Sequence, residues 1–412
     1  MEFSIGVCLF SIEQRKILPY AIVILLGFVG FSLPLPLLPE MFLDPERSLL
    51  PPSYSLGKKT FLLGLLLACY PFGQLLGSPI LGRLSDKRGR KKTIFFSLFI
   101  CMLAYFYIAY AISINYMQGI FLGLFICGFA EGNVSIAQSV IADIVAKEDK
   151  ARHFGFITIF TCMGFIIGPL IGGMLADQNY ISWFTFSTPF LMGAILTALG
   201  MLIILVTSKE TRGHAHKTHL PFWNAFQRLF IHSELRKYYF ANFLIALGFY
   251  SFFRFLPIYL ERMFNFSSSQ LAYVMAYDAF WIAISIIFVV PLTAKYITPQ
   301  KSTAYSSLFY AFCLIILLIP NTPWALIGTI PPLGLCFAFS NTYGSLIISN
   351  AADHDMHGQA MGCLQSIQVF AGVLIGILGG WLAMDVPSLP LLVGAIMSGA
   401  CGLMLFKSHK AI

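Results

Sequence analysis

Charge is scarce in this sequence. Only 11% of its 412 residues are Asp, Glu, Lys or Arg, where a water-soluble domain carries about 25%. Most of the surface therefore cannot face water, which excludes a soluble globular protein. Paired cysteine motifs are lacking too: no C-x-x-C occurs. Eight of the nine cysteines (Cys69, Cys101, Cys127, Cys162, Cys313, Cys336, Cys363 and Cys401) sit inside apolar runs, and Cys8 lies in the N-terminal tail. They read as small apolar side chains and not as a disulfide framework. There is no G-x-S-x-G, no H-E-x-x-H and no P-loop, so the motifs of a membrane hydrolase, a zinc protease and an ATP-driven machine are missing. A signal-peptide cleavage pattern is also missing. The first long apolar run follows Arg15 and Lys16 directly and reads as a retained span.

What the chain has in abundance is apolar length. Hydrophobic residues make up 58% of it, phenylalanine alone accounts for 40 positions, and the mean hydropathy is +0.80. About 20 apolar residues cross the hydrocarbon at helical rise. Such runs fall at 17–39, 61–82, 93–113, 117–142, 154–176, 183–207, 238–260, 270–292, 302–320, 324–346, 358–383 and 387–406. The expectation is an all-α polytopic membrane protein of twelve transmembrane helices.

Basic residues orient the spans. With the N-terminus cytoplasmic, 21 of the 26 Lys and Arg residues fall in inner segments, while the outer loops hold only Arg47, Lys58, Lys59 and Arg262. Arg254 remains within a span. Both termini are then inside, and the net charge of +8 needs no nucleic acid to explain it. The long basic connection 208–237 divides the spans six and six, giving a 1–207 bundle, a cytoplasmic linker and a 238–412 bundle. A shift of 207 residues superposes Gly155 on Gly362, Gly172 on Gly379, Gly173 on Gly380, Leu175 on Leu382 and Ala176 on Ala383. This is the weak internal symmetry of a parallel-repeat architecture, so the twelve helices are expected as two pseudo-symmetric six-helix bundles.

Between the second and third spans the chain reads Gly82-Arg-Leu-Ser-Asp86-Lys-Arg88-Gly89-Arg90-Lys91-Lys92. This resembles the signature loop of the major facilitator superfamily. Gly89 suits a tight turn, and Asp86 can cap a helix or pair with the surrounding arginines. The fifth span reads Gly164-x-x-x-Gly168-Pro169-x-x-Gly172-Gly173, similar to the signature of that superfamily's proton-coupled antiporters. Glycines every four residues form a smooth ridge for a neighbouring helix, and Pro169 permits a bend. The stretches Ile141-Ala-Asp143 and Ala151-Arg-His-Phe-Gly155-Phe156 add likeness to tetracycline-type and multidrug exporters. The resemblance implies a major facilitator fold and proton-coupled transport. It implies further that Asp143 meets the signature-loop arginines as a gate latch. Two departures stand out: the arginine common in the family's fourth span aligns with Leu124, and the first-span aspartate of tetracycline-type exporters aligns with Gly27.

An ionisable residue deep in a membrane helix costs about 2.5–3.5 kcal/mol even on the lenient insertion scale. Glu131 lies near the middle of the fourth span, with Ser135 and Gln138 continuing its face at i+4 and i+7. A carboxyl there suits a proton carrier, or a hydrogen-bonded structural role. Arg254 and Asp278 are equidistant from the short outer connection around Phe266, so a hairpin of the seventh and eighth spans would bring them level as a salt bridge. Such a bridge could be structural or a switch opened by substrate or proton. Trp281 extends the Asp278 face. Tyr250, Asn341, Tyr343, Gln365 and Gln368 are further cavity candidates.

The histidine-bearing segments His214-x-His216-x-x-His219 and Asp353-His354-Asp355-x-His357 read as solvated loops, and neither metal nor cofactor is expected. The combined expectation is a non-enzymatic secondary transporter of the cytoplasmic membrane, working as a monomer by alternating access. Its partners are the lipid bilayer, protons and a small-molecule substrate, with no nucleic acid. The expected cargo is a small amphipathic drug or metabolite exported against protons; the alternative is proton-coupled uptake of a metabolite or iron chelate.

Overall fold

The computed structural model describes residues 12–144, 150–178, 181–208, 210, 233–293, 296–319, 322–351 and 357–409. Most of the 208–237 linker with its three histidines and residues 353–355 lie outside them, as do the side chains of Ser135, Asp143 and His357.

Helices dominate because lipid offers the backbone no hydrogen-bond partner. Span 1 runs as Ile12–Ser32 and, after a turn at Leu33–Pro36, as Leu37–Leu43. Pro34 and Pro36 supply the break by withholding backbone donors. Span 2 is Leu56–Arg88 and span 3 is Arg90–Ser113. Span 4 is split into Met117–Ala130 and Gly132–Ile144. Span 5 is Lys150–Ala176 and span 6 is Thr188–Thr207. Span 7 is Ser233–Phe264. Span 8 runs Ser268–Ile284, passes through a π-helical turn at Ser285–Val289, and ends at Val290–Thr293. Spans 9 to 12 are Pro299–Leu317, Ala325–Ala351, His357–Leu382 and Leu389–His409.

Ten of these helical stretches are long and apolar enough to cross a membrane among the described residues. The other two are span 4, divided at Glu131, and the 19-residue span 9. Large exposed aromatics at span ends, including Trp183, Trp324, Trp381 and Tyr296, fit a belt at the membrane interface.

The packing order repeats. Within the first six spans, 1 packs on 5 and 6, 2 on 4, 3 on 4 and 6; within the last six, 7 packs on 11 and 12, 8 on 10, 9 on 10 and 12. Adding six converts one set into the other. Between the sets, span 2 lies against span 11 and span 5 against span 8, which is again one relation and its repeat. Close backbone approach makes these contacts possible. A methyl group added at Gly64 would overlap Gly380 of span 11, and one at Gly172 would overlap the Leu33 carbonyl of span 1.

This order corrects the hairpin expectation for spans 7 and 8. Although consecutive, they barely touch, because span 8 leaves to pack on spans 5 and 10. Arg254 and Asp278 therefore form no salt bridge. Arg254 Nη1 donates instead to the Leu67 and Gly372 carbonyls, at 2.8 and 2.7 Å, and Asp278 Oδ1 has no hydrogen-bond partner.

Candidate functional site

Glu131 occupies the break in span 4. Its N–H donates to the Gly128 carbonyl at 3.1 Å, and its own carbonyl accepts from Val134 N–H at 3.0 Å. This local tightening of the helix separates the two halves of the span. The carboxyl is buried and faces the Tyr70 hydroxyl of span 2. Around it lies a small cavity lined by Gly27, Tyr70, Cys101, Tyr105, Glu131 and Thr197, among others. Gly27, the position of the missing first-span aspartate, thus opens onto the same space as Glu131.

From Tyr70 a run of aromatic rings crosses the middle of the molecule. Tyr70 meets Phe31 at 4.6 Å between centroids, Phe31 meets Phe165 at 6.1 Å, and Phe165 meets Phe253 edge-on at 6.0 Å. Phe253 stacks with Phe249 at 5.3 Å, and Phe249 with Phe337 at 3.6 Å. The rings belong to spans 1, 2 and 5 on one side and to spans 7 and 10 on the other. A second small cavity lies between the halves and is lined by Leu35, Leu67, Phe253, Arg254, Pro257 and Met275, among others. Arg254 lies over the Tyr250 ring, 4.8 Å from its centroid. Both cavities are small in this state, well short of a drug-sized ligand.

Asp278 is buried in the second half, with its main-chain carbonyl oxygen 3.1 Å from where a methyl on Gly334 would sit. Trp281 Nε1 and the Tyr310 hydroxyl nearby also lack hydrogen-bond partners. Other sequence candidates divide. Gln368 Nε2 donates to Asn341 Oδ1 at 3.0 Å, joining spans 10 and 11. Gln138 is half-buried and Gln365 is exposed; neither lines the two cavities. Tyr343 is internal to its bundle and donates to the Val290 carbonyl at 3.2 Å, where it supports the end of the π turn.

In the signature loop, Arg90 pairs with Asp86 at 3.5 Å. Gly89 adopts φ +105°, a conformation that strains any residue with a Cβ. Arg88 is exposed, and Gly82 has open space where a side chain would begin. Glu210, which sequence reasoning missed, accepts the N–H groups of Lys91 and Lys92 at 3.1 and 3.3 Å. It caps the start of span 3, where an anion meets the positive end of the helix dipole. Its only signal is a carboxylate at the head of a basic linker. In span 5, Gly164, Gly168 and Gly172 face Phe28, Ser32 and Leu33 of span 1, Gly173 faces Ser268 and Ala272 of span 8, and Pro169 lies inside the helix.

At the opposite end, a second missed group joins the halves. Glu40, buried, pairs with Arg47 and accepts from both the backbone N–H and the hydroxyl of Ser268. Arg47 also donates to the Ala176 carbonyl at 3.1 Å and lies over Phe186.

Twelve packed helical rods, repeated in halves around a cavity with buried charges, define a membrane transporter. Residues 20–330 and 238–411 match the Major Facilitator Superfamily, and the chain belongs to that superfamily. It is similar to the tetracycline resistance protein, class H, of Pasteurella multocida, 30% identical over 201 residues, 48% of this chain and 46% of that protein. That match spans under half of the relative. The quinolone resistance protein NorA of Staphylococcus aureus is 25% identical over 393 residues, 94% of this chain and 95% of NorA. Among solved structures, a D-xylose-proton symporter superposes with a TM-score of 0.77 at 13% identity, covering 96% of this chain and 98% of that one; it shares the fold.

Proposed function

We propose that this transporter exports small amphipathic organic compounds in exchange for protons, by alternating access between halves 1–207 and 238–412 joined by the 208–237 linker. The observation that carries the reading is Glu131: a buried carboxyl at a helix break, facing the Tyr70 hydroxyl and opening onto a cavity at one end of an aromatic run between the halves. In this scheme cargo lies against the rings, while Glu131 takes a proton from the outer side and releases it to the inner side. Neutralised, the carboxyl no longer opposes an apolar cavity during the switch. The names of the relatives, tetracycline and quinolone resistance proteins, support aromatic cargo.

The contacts joining the halves support an inward-open state. Glu40–Ser268, Gly64–Gly380 and Gly173–Ala272 all fall at the end that the basic-residue distribution makes external. Asp86, Arg90 and Asp143 would form the inner latch when the molecule reverses. The protein would act as a monomer in the cytoplasmic membrane with both termini inside.

The test uses purified protein in liposomes with a trapped pH-sensitive dye and an imposed gradient of tetracycline or a quinolone. Protons should move opposite to the drug, and Glu131→Gln should reduce that proton flux at least about tenfold, the order of one positioned proton-transfer group. Protons moving with the drug would make this an uptake symporter. An undiminished flux in Glu131→Gln would remove Glu131 from the coupling path and turn attention to Asp278.

A further inference from the structure

Arg254 is the charge in the membrane interior that proton exchange does not use. It lies within span 7, and among the described residues no carboxylate pairs with it: Asp278, the partner the sequence offered, is elsewhere. Tyr250 is the titratable group that acts on it. Nη1 is occupied by the Leu67 and Gly372 carbonyls, whereas Nε and Nη2 donate to no atom among the described residues. The residue as a whole keeps part of its surface accessible, and it lines the cavity between the halves.

We propose that Arg254 is an anion subsite of the central cavity, and that the cargo favoured by this chain is a planar aromatic compound bearing a carboxylate. The proposal rests on the transport reading above and names its substrate class. A guanidinium keeps its charge at any working pH and offers a flat fork of donors that fits a carboxylate edge-on through two parallel bonds. Left without a counter-ion in a low-dielectric interior, it is unfavourable, and an arriving anion relieves that state. The walls beside it fit the rest of such a molecule. Phe253 lines the same cavity and continues into the Phe165 and Phe249 rings, so a ring system can lie on the aromatic run with its acid group toward Arg254. An apolar pocket with one placed polar group is the usual form of a small-molecule site.

Geometry also ties the subsite to the transport cycle. Leu67 belongs to the first half and Arg254 to the second, so the bond between them must break when the halves part on that side. The guanidinium then loses one of its two carbonyl partners, and its need for an anion is greatest in one state.

The opposing role is a pin that merely holds spans 2, 7 and 11 together. Wild type, Arg254→Gln and Arg254→Lys would be purified, checked for thermal stability, and titrated with naphthalene-2-carboxylate and naphthalene-2-carboxamide, which share a ring system and differ in charge. The wild type should favour the carboxylate at least about tenfold, the scale of a charge-assisted pair over a neutral one. Arg254→Gln should bring the ratio near one, and Arg254→Lys should retain part of the preference. A ratio equal to wild type in Arg254→Gln, a wild type without preference, or an equal loss of both ligands in a stable Arg254→Lys would each overturn the subsite. Proton flux driven by tetracycline in the liposome assay reads the export function separately, so failure of the subsite leaves that function standing.

Discussion

Glu40 at the end of span 1 caps span 8 of the other half: one carboxylate oxygen accepts the Ser268 N–H at 3.0 Å and the Ser268 hydroxyl as well. The first turn of a helix carries unpaired N–H groups and partial positive charge, so an anion from a neighbouring helix is a favourable partner. This cap works only while the halves are closed at that end.

Glu40→Gln should therefore shift the conformational balance toward the opposite state. A buried charge-assisted contact is worth about 1.5–3 kcal/mol, enough for a change of roughly tenfold or more in population. Spin labels on the outer ends of spans 5 and 8, read by pulsed EPR, should show a longer-distance population growing in the variant. An unchanged distance distribution would mean that the glycine contacts alone hold the end closed.

Arg254 and Asp278 should behave independently. Residues without shared partners add in stability within about 0.3–0.5 kcal/mol. A double-mutant cycle of Arg254→Gln and Asp278→Asn, measured by thermal unfolding in detergent, should give no larger coupling. The exchanged double variant Arg254→Asp with Asp278→Arg should fail to restore transport. Restoration would mean that the two meet in another state of the cycle.

Gly172→Ala and Gly82→Ala should differ sharply. At Gly172 the new methyl would overlap the Leu33 carbonyl, while at Gly82 it meets nothing within 4 Å. Overpacking costs about 1–3 kcal/mol, so Gly172→Ala should lower the Tm and Gly82→Ala should leave it unchanged. Transport lost in a stable Gly82→Ala variant would place the requirement for that glycine in the reversed conformation.

Gly89→Ala combines two penalties, a φ of +105° and a Cβ directed into the Glu210 carboxylate. Strained backbone of this kind costs about 1–3 kcal/mol. Glu210→Ala should recover part of the Tm lost in Gly89→Ala by removing the overlap. Full additivity of the two substitutions would show that the carboxylate yields freely.

Much of the architecture could be read from one dimension. Apolar length alone separates the spans, because the bilayer sets the number of residues per crossing, and the signature loop with its Gly89 was visible as a turn. The mid-span charges were equally visible, since Glu131, Arg254 and Asp278 stand alone in runs of apolar residues. Pairing among them was not. The hairpin argument assumed that consecutive helices pack together, and spans 7 and 8 do not. Glu40 and Glu210 were overlooked because each lies near a span end, where a charge needs no explanation until a helix terminus from elsewhere is found against it.

The sequence by itself determined that the chain is a membrane protein, how many times it crosses, where it repeats and which charges stand in mid-span. Those properties follow from local composition measured against the thickness and polarity of lipid. Only the tertiary structure decided that Arg254 lines a cavity without a counter-ion among the described residues, that Glu131 looks toward Tyr70 at a helix break, and that Glu40 reaches Ser268. Each depends on which helices become neighbours, and that is set by glycine-to-backbone contacts between residues up to several hundred positions apart.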